Sequence, residues 1–242
     1  MPSYNSEKYI SESIESVINQ SFQDWELIIT DDCSTDNTVN IVKRYQITDK
    51  RITLLQLNIN SGAAVARNNS IKHSKGRFIA FLDSDDRWVT GKLNKQITFM
   101  IKNKLLFTYS GYTMIDESGK IKKIVRGKKR LTINHMIRNN YVHCLTAIYD
   151  ADALGKMLMP NLRKRQDWAL WLNIFLKIKE TNGIVEPLGE YRVRSKSISS
   201  NKLGLIKYNW QIYRTVLGYN LIQSSFLMIQ FLIFYAIKKI NL

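Results

Sequence analysis

Along the first 110 residues, short apolar runs alternate with stretches whose apolar positions recur at helical spacing. Residues 25–30, 52–57, 78–82 and 106–109 are rich in Ile, Leu and Phe, the length and composition of buried strands. Residues 7–20, 37–45, 63–73 and 93–103 predict helices. In the first of these, Ile10, Ile14, Val17 and Ile18 share one face. Strands alternating with helices imply right-handed βαβ units and an α/β fold built on a mainly parallel sheet. In such a sheet, ligands bind beyond the carboxyl ends of the strands.

After residue 110 the pattern loosens. Asp116-Glu117-Ser118-Gly119 predicts a turn joining the arms of a hairpin, and the basic run 120–130 follows. A short apolar strand is expected at 144–149, a Trp- and Leu-rich helix at 167–179 and an extended segment at 184–193. Residues 215–237 carry no charge and lie between Arg214 and Lys238-Lys239. That length would just span a bilayer. Asn220, Gln223, Ser224 and Gln230 cluster on one side of the helical wheel, however, which favours a helix lying in the membrane interface with basic flanks. A packed C-terminal helix is the third reading. The chain thus divides into 1–110 and 111–205, two halves of one domain, and a helical tail at 206–242.

Composition narrows the class. With 45% hydrophobic residues in 242, the chain can bury a full core, which excludes disorder. Two cysteines, Cys33 and Cys144, exclude a disulfide scaffold. No charged and then apolar leader opens the chain, so a cytoplasmic protein is expected. The net charge of +16 is uneven: 118–149 and 191–242 each hold eight Lys or Arg and no acid. Such a field favours nucleic acid, an anionic membrane surface or a diphosphate ligand.

Four polar blocks could carry chemistry. Asp31-Asp32-Cys33-Ser34-Thr35-Asp36 follows a strand and precedes a helix. One acid there can cap the helix, but clustered acids beside a buried strand are costly unless they bind something. Asp83-Ser84-Asp85-Asp86 directly follows the run 78–82, and two carboxylates two residues apart can share a hard divalent cation, Mg²⁺ or Mn²⁺. Gln166-Asp167-Trp168 opens an apolar helix, where Asp167 either complements the helix dipole or serves as a general base. Tyr191-Arg192-Val193-Arg194, followed by small polar residues at 195–200, is either a basic linker or a loop that closes on phosphate. His73, His135 and His143 make no zinc spacing with the cysteines, and neither a Walker loop nor a G-x-G-x-x-G occurs.

Taken together, these blocks resemble a family 2 glycosyltransferase with the GT-A fold, over roughly residues 1–200. Pro2-Ser3-Tyr4-Asn5, the Asp31–Asp36 turn, Asn60-Ser61-Gly62-Ala63-Ala64-Val65-Ala66-Arg67-Asn68, Asp83-Ser84-Asp85 and Gln166-Asp167 follow the family's order. The chain is most similar to transferases of teichuronic acid and other surface polysaccharides. The resemblance implies inverting transfer from a nucleotide-sugar donor, a UDP-sugar by expectation, to a lipid-linked or polysaccharide acceptor. Asp32 would read the uracil, with Pro2, Ser3 and Tyr4 lining its pocket. Arg67 and Arg194 would meet the diphosphate, Asp85 would ligate the metal directly with Asp83 on the ribose or metal side, and Asp167 would be the base.

The resemblance also brings departures. Gln166 stands where the family commonly has Glu, Arg194 where many members have His, and Cys33 where a small residue is usual. The family's first strand would precede Met1, so loss of a central strand is expected. The expected place is the inner face of the cell membrane, without nucleic acid. The rival expectation is a non-enzymatic polyanion binder on a degenerate transferase fold.

Overall fold

The structure, a computed structural model, describes residues 1–194 and 204–240. Three parallel strands, β1 (Pro2–Ser3), β2 (Leu27–Asp31) and β3 (Ile52–Gln56), form the N-terminal sheet in that order. Pro2 lies opposite Thr30 and Ser3 opposite Asp31. All five residues of β2 are buried, as a strand covered on both faces requires. The covering comes from α1 (Ile10–Ile18), α2 (Thr38–Thr48) and α3 (Ala63–His73). Helix α1 buries Ile10, Ile14 and Val17 against Leu27 and Ile29, as its periodicity predicts.

A second sheet takes β4 (Phe78–Ala80), β10 (Ile148–Asp150) and β6 (Phe107–Thr108) in the order β4-β10-β6, with both ladders antiparallel. A third, mixed sheet runs β5 (Arg87–Trp88), β12 (Ile184–Arg192), β7 (Ser110–Ile115), β8 (Ile121–Val125). Strands β7 and β8 are the arms of the hairpin expected around 116–119, and β8 falls within the basic run. A short ribbon pairs β9 (Arg130–Thr132) with β11 (Glu180–Asn182). Parallel pairing is therefore concentrated in the N-terminal sheet and in the β12–β7 ladder, and antiparallel ladders build the rest.

The remaining helices are α4 (Lys92–Lys102), α5 (Ile133–Arg138), α6 (Ala151–Leu154), α7 (Gln166–Ile178), α8 (Gly204–Gln211) and α9 (Leu221–Ile240). Helix α7 is apolar over most of its surface and largely buried: Trp168 through Leu172 are inaccessible, as are Ile174 and Phe175. Trp171 packs edge-on to Phe81 with ring centroids 5.2 Å apart, and the Trp168 indole donates to the Met136 carbonyl at 2.7 Å. This packing fixes α7 and so aims its first turn.

Two expectations change. Residues 144–149 do not form one strand. Cys144–Thr146 is a 3₁₀ turn and β10 starts at Ile148, because β4 offers only three residues for pairing. The tail is not one continuous helix either. A π-turn at Ile212–Val216 buries Ile212 and Tyr213, and Gly218 takes the left-handed region at φ 67°, which a glycine adopts without strain. Helix α9 restarts beyond it and turns Ser224, Met228 and Phe231 inward, so one member of the expected polar face is buried. Leu221, Ile222, Phe226 and Ile229 stay exposed. Among the described residues no helix is long and apolar enough to cross a membrane.

Candidate active site

Two acid-bearing turns leave the carboxyl ends of β2 and β4. In the first, Asp31 is buried and accepts from the Ser3 hydroxyl at 3.1 Å and from the Ser34 amide at 2.8 Å. Asp32 sends its carboxylate the other way, to the Ser61 and Gly62 amides, each at 2.7 Å. Those amides precede α3, so its electropositive N-terminus holds Asp32 in place. Asp36 accepts from the Thr38 amide at 3.0 Å and steadies the start of α2. Cys33 sits at φ 70°, a left-handed position in the tight turn.

The second turn carries Asp83, Asp85 and Asp86. Arg67, reaching from α3, donates to Asp83 at 2.6 Å. Burial opposes both charges, but the pair outweighs it, leaving the Asp83 carboxyl below and the Arg67 guanidinium above their ordinary values. Asp85 goes the other way. Burial, and then the neighbouring Asp83 charge, raise its pKa, although Arg194 lies on it at 2.9 Å. Asp86 is buried, accepts from the Arg192 amide at 2.9 Å, and keeps Oδ2 without a partner among the described residues. Burial and its two acidic neighbours push its carboxyl well up. The second turn is tied to the segment after β1, where the Ser6 and Ser84 hydroxyls meet at 2.7 Å.

A third wall comes from later in the chain. Asp167 lies in the first turn of α7 and accepts from the Asn140 amide side chain at 2.9 Å. His143 packs between Tyr191 and Tyr112, with ring centroids 4.4 and 4.9 Å away. Burial holds its imidazole below the ordinary histidine value, against the pull of Asp167 and Asp83. Those two acids and Arg67 all act electrostatically on His143, so the three segments form one charged cluster. Arg192 ties the walls together. Its guanidinium meets the Asp85 carbonyl at 3.0 Å, the Glu117 carbonyl at 3.2 Å and the Glu12 carboxylate at 2.6 Å.

Most of the expected residues come together here. Arg67 meets Asp83, Arg194 meets Asp85, and Asp167 acts electrostatically on Arg67, while Asp32 stands in the neighbouring turn. Pro2 and Ser3 are instead buried as strand β1, with the Ser3 hydroxyl spent on Asp31, whereas Tyr4 is 49% exposed. Arg194 lies against Asp85. Residues 195–200 of the expected closing loop lie outside the described residues. Asn140, His143 and Glu12 were not legible as site residues, since each stands alone in an unremarkable stretch.

The oxygen donors suit a hard cation. Asp85 suffers repulsion from Asp83 that a cation would relieve, and Asp86 keeps an orphan buried oxygen. Among the described residues no three such ligands are already gathered around one point. Two carboxylates, with the rest of the shell from phosphate oxygens and water, match how Mg²⁺ is usually held at phosphate sites.

The structure of S. aureus TarS 1–349 in complex with UDP-GlcNAc resembles this chain with a TM-score of 0.74 at 23% identity, covering 96% of this chain and 70% of that one. The mannosyltransferase PcManGT from Pyrobaculum calidifontis, in complex with GDP-Man and Mn²⁺, gives 0.65 at 16% identity, covering 90% and 63%. The architecture is that of the GT-A glycosyltransferases. The sequence profile of Glycosyl transferase family 2 matches residues 1–156. TuaG of Bacillus subtilis (strain 168), a glycosyltransferase named for teichuronic acid biosynthesis, is 40% identical over 231 residues, 95% of this chain and 92% of the relative. The UDP-Glc:alpha-D-GlcNAc-diphosphoundecaprenol beta-1,3-glucosyltransferase WfgD of Escherichia coli is 41% identical over 216 residues, 88% and 83%. The chain belongs to glycosyl transferase family 2 and is a glycosyltransferase. The polyanion-binder reading is thereby set aside.

Proposed function

We propose that the enzyme moves a sugar, with inversion, from a UDP-sugar to a hydroxyl of a lipid-linked or polysaccharide acceptor during surface-glycan assembly. One observation supports this reading: a single carboxylate, Asp167, is oriented by Asn140 and acts, with Asp83 and Arg67, on the same buried His143. In an in-line displacement the acceptor oxygen bonds to the anomeric carbon while the bond to the diphosphate breaks, and the electron pair leaves with the diphosphate. Asp167 takes the hydroxyl proton. A diphosphate is a good leaving group, so no second carboxylic acid is required, unlike in glycoside hydrolysis.

Asp83 and Asp85 would hold Mn²⁺ or Mg²⁺, which when bound neutralises charge on the departing diphosphate. Arg67 keeps Asp83 ionised and oriented. Arg194 exchanges Asp85 for a phosphate oxygen when donor arrives. Asp32 keeps a lone pair on each oxygen for the uracil imide, and exposed Tyr4 offers a face for the base. The donor class is supported by the UDP-Glc in WfgD's name and the UDP-GlcNAc bound to TarS. The acceptor class is supported by the diphosphoundecaprenol in WfgD's name. Such acceptors sit in a membrane, and the exposed apolar face of α9, in an acid-free basic segment, suits peripheral docking on its anionic inner surface.

Calorimetry of UDP with and without Mn²⁺ tests the donor site. Asp85→Ala should abolish the metal-dependent component of binding; unchanged affinity refutes the metal assignment. Asp167→Asn should keep UDP affinity and lower turnover by roughly a hundredfold or more. Near-normal turnover would place the base elsewhere.

A further inference from the structure

The first turn of α7 also carries polar groups that the donor site does not use. Arg165 caps α7 at φ 65°, a left-handed position that a long side chain adopts only at a cost. Its guanidinium lies over the Trp168 ring at 5.2 Å and 6.0 Å from the Phe231 ring of α9. Among the described residues no carboxylate forms an ion pair with it, and its Nε is buried without a partner. Burial lowers the guanidinium below its ordinary value, and the Asp167 charge restores only part of that.

Two inaccessible side chains nearby are also open. Tyr213 packs edge-on to Trp168 with ring centroids 6.0 Å apart, and its hydroxyl has no partner among the described residues. Burial holds the phenol up at about 12, so it keeps its proton and can donate. Asn209, four positions earlier in the same helical run, has no partner among the described residues for either end of its amide. A structural cation stacked on an indole needs none of this. Buried donors left open beside an unneutralised guanidinium are costly unless an anion completes them. Position says which anion. Asp167 stands two residues after Arg165 in the same first turn, and under the proposed function the acceptor hydroxyl lies there. Phe231, against the guanidinium, belongs to α9, whose outer face carries exposed Phe226 and Ile229. The cation therefore stands between the base and the helix proposed to meet the membrane. A lipid-linked acceptor presents its parts in that order: sugar hydroxyl, diphosphate, lipid.

We propose that Arg165, with Tyr213 and Asn209, binds the diphosphate that joins the acceptor's sugar to its lipid; this rests on the lipid-linked acceptor of the proposed function. The planar guanidinium grips phosphate oxygens through parallel hydrogen bonds, and the Trp168 ring beneath it holds its plane. The Tyr213 hydroxyl donates a further bond. Arg163, exposed two positions earlier, adds charge at the rim. The reacting hydroxyl then falls one sugar ring away, at Asp167. No bond is made or broken at this site; it fixes the acceptor for the step at Asp167.

The test is calorimetry of geranyl diphosphate with the full chain in EDTA, so that Asp83 and Asp85 cannot recruit the phosphates through a cation. The native protein should bind geranyl diphosphate and not geranyl alcohol. Arg165→Gln should weaken binding at least about tenfold, and Arg165→Lys should recover part of the loss. Tyr213→Phe removes a hydroxyl that bonds no described residue, so Tm should hold while binding weakens about threefold or more. No binding by the native protein overturns the proposal. So does unchanged binding by Arg165→Gln or, where that variant does not fold, by Tyr213→Phe. An equal loss of flotation with phosphatidylglycerol vesicles in Arg165→Gln would also overturn it, because the arginine would then serve lipid headgroups. UDP affinity with Mn²⁺ is measured on each variant. Arg165-dependent binding of geranyl diphosphate by a protein that does not bind UDP supports this site and counts against the donor reading alone.

Discussion

Lys92 offers a quantitative test of the core. It is the first residue of α4, fully inaccessible, and its ammonium has no hydrogen-bond partner among the described residues; only the Trp88 ring lies beneath it, at 4.5 Å. Burial lowers its pKa from the ordinary 10.5 to about 7. The unfolded chain therefore binds the proton more strongly than the folded one between about pH 7 and 10.5, and stability must rise with pH across that window. At about 1.4 kcal/mol per pH unit the full effect approaches 5 kcal/mol, an upper bound, with about 2 kcal/mol of it gained between pH 7 and 9. Lys92→Met keeps the methylene packing and removes the charge. At pH 7 it should stabilise the protein by about 2–4 kcal/mol, less about 0.5–1 kcal/mol for the lost ring contact. Urea unfolding of both proteins at pH 7, 8 and 9 is the assay. The native curve should climb relative to the variant's, and their difference should shrink toward pH 9. A variant no more stable at pH 7, or parallel pH profiles, would refute the reasoning.

Two other outcomes follow from described contacts. Asn140→Ala removes the donor 2.9 Å from Asp167 and frees the carboxylate to rotate, so kcat should fall about tenfold while the donor KM stays put; an unchanged kcat in steady-state kinetics would end its positioning role. Phe226→Glu with Ile229→Glu places two charges on the exposed face of α9 and should release the protein from anionic vesicles in a flotation assay, with transfer to a soluble acceptor analogue preserved; persistent flotation would move the docking surface elsewhere.

What the sequence made legible follows the range of the signals. Helix α3 begins and ends where the sequence places it, at Ala63 and His73, because its alanine-rich start and the glycine before it are local signals. The acid turns were readable because polar residues directly follow apolar runs. Asn140 was not, because its meaning lies in meeting Asp167 across 27 positions of chain. The interrupted tail escaped for a different reason: one backbone angle at Gly218 redirects α9, and hydrophobicity does not encode that angle. In α9 Ser224 turns inward while Asn220 and Gln223 stay exposed, so a wheel drawn from residue 215 put one residue too many outside.

The Arg192 clamp bears on when the enzyme becomes competent as it is made. Its bond to Glu12 spans 180 positions and its bond to the Asp85 carbonyl 107. Both acid turns emerge from the ribosome long before that arginine does. Synthesis at about 5–20 residues per second leaves the second turn several seconds without its brace. Contacts of such sequence separation close late, after local helices and hairpins have formed. The turn that carries Asp83 and Asp85 is thus braced only once residue 192 has left the ribosome, and under the proposed function its donor site would be assembled only from that point on.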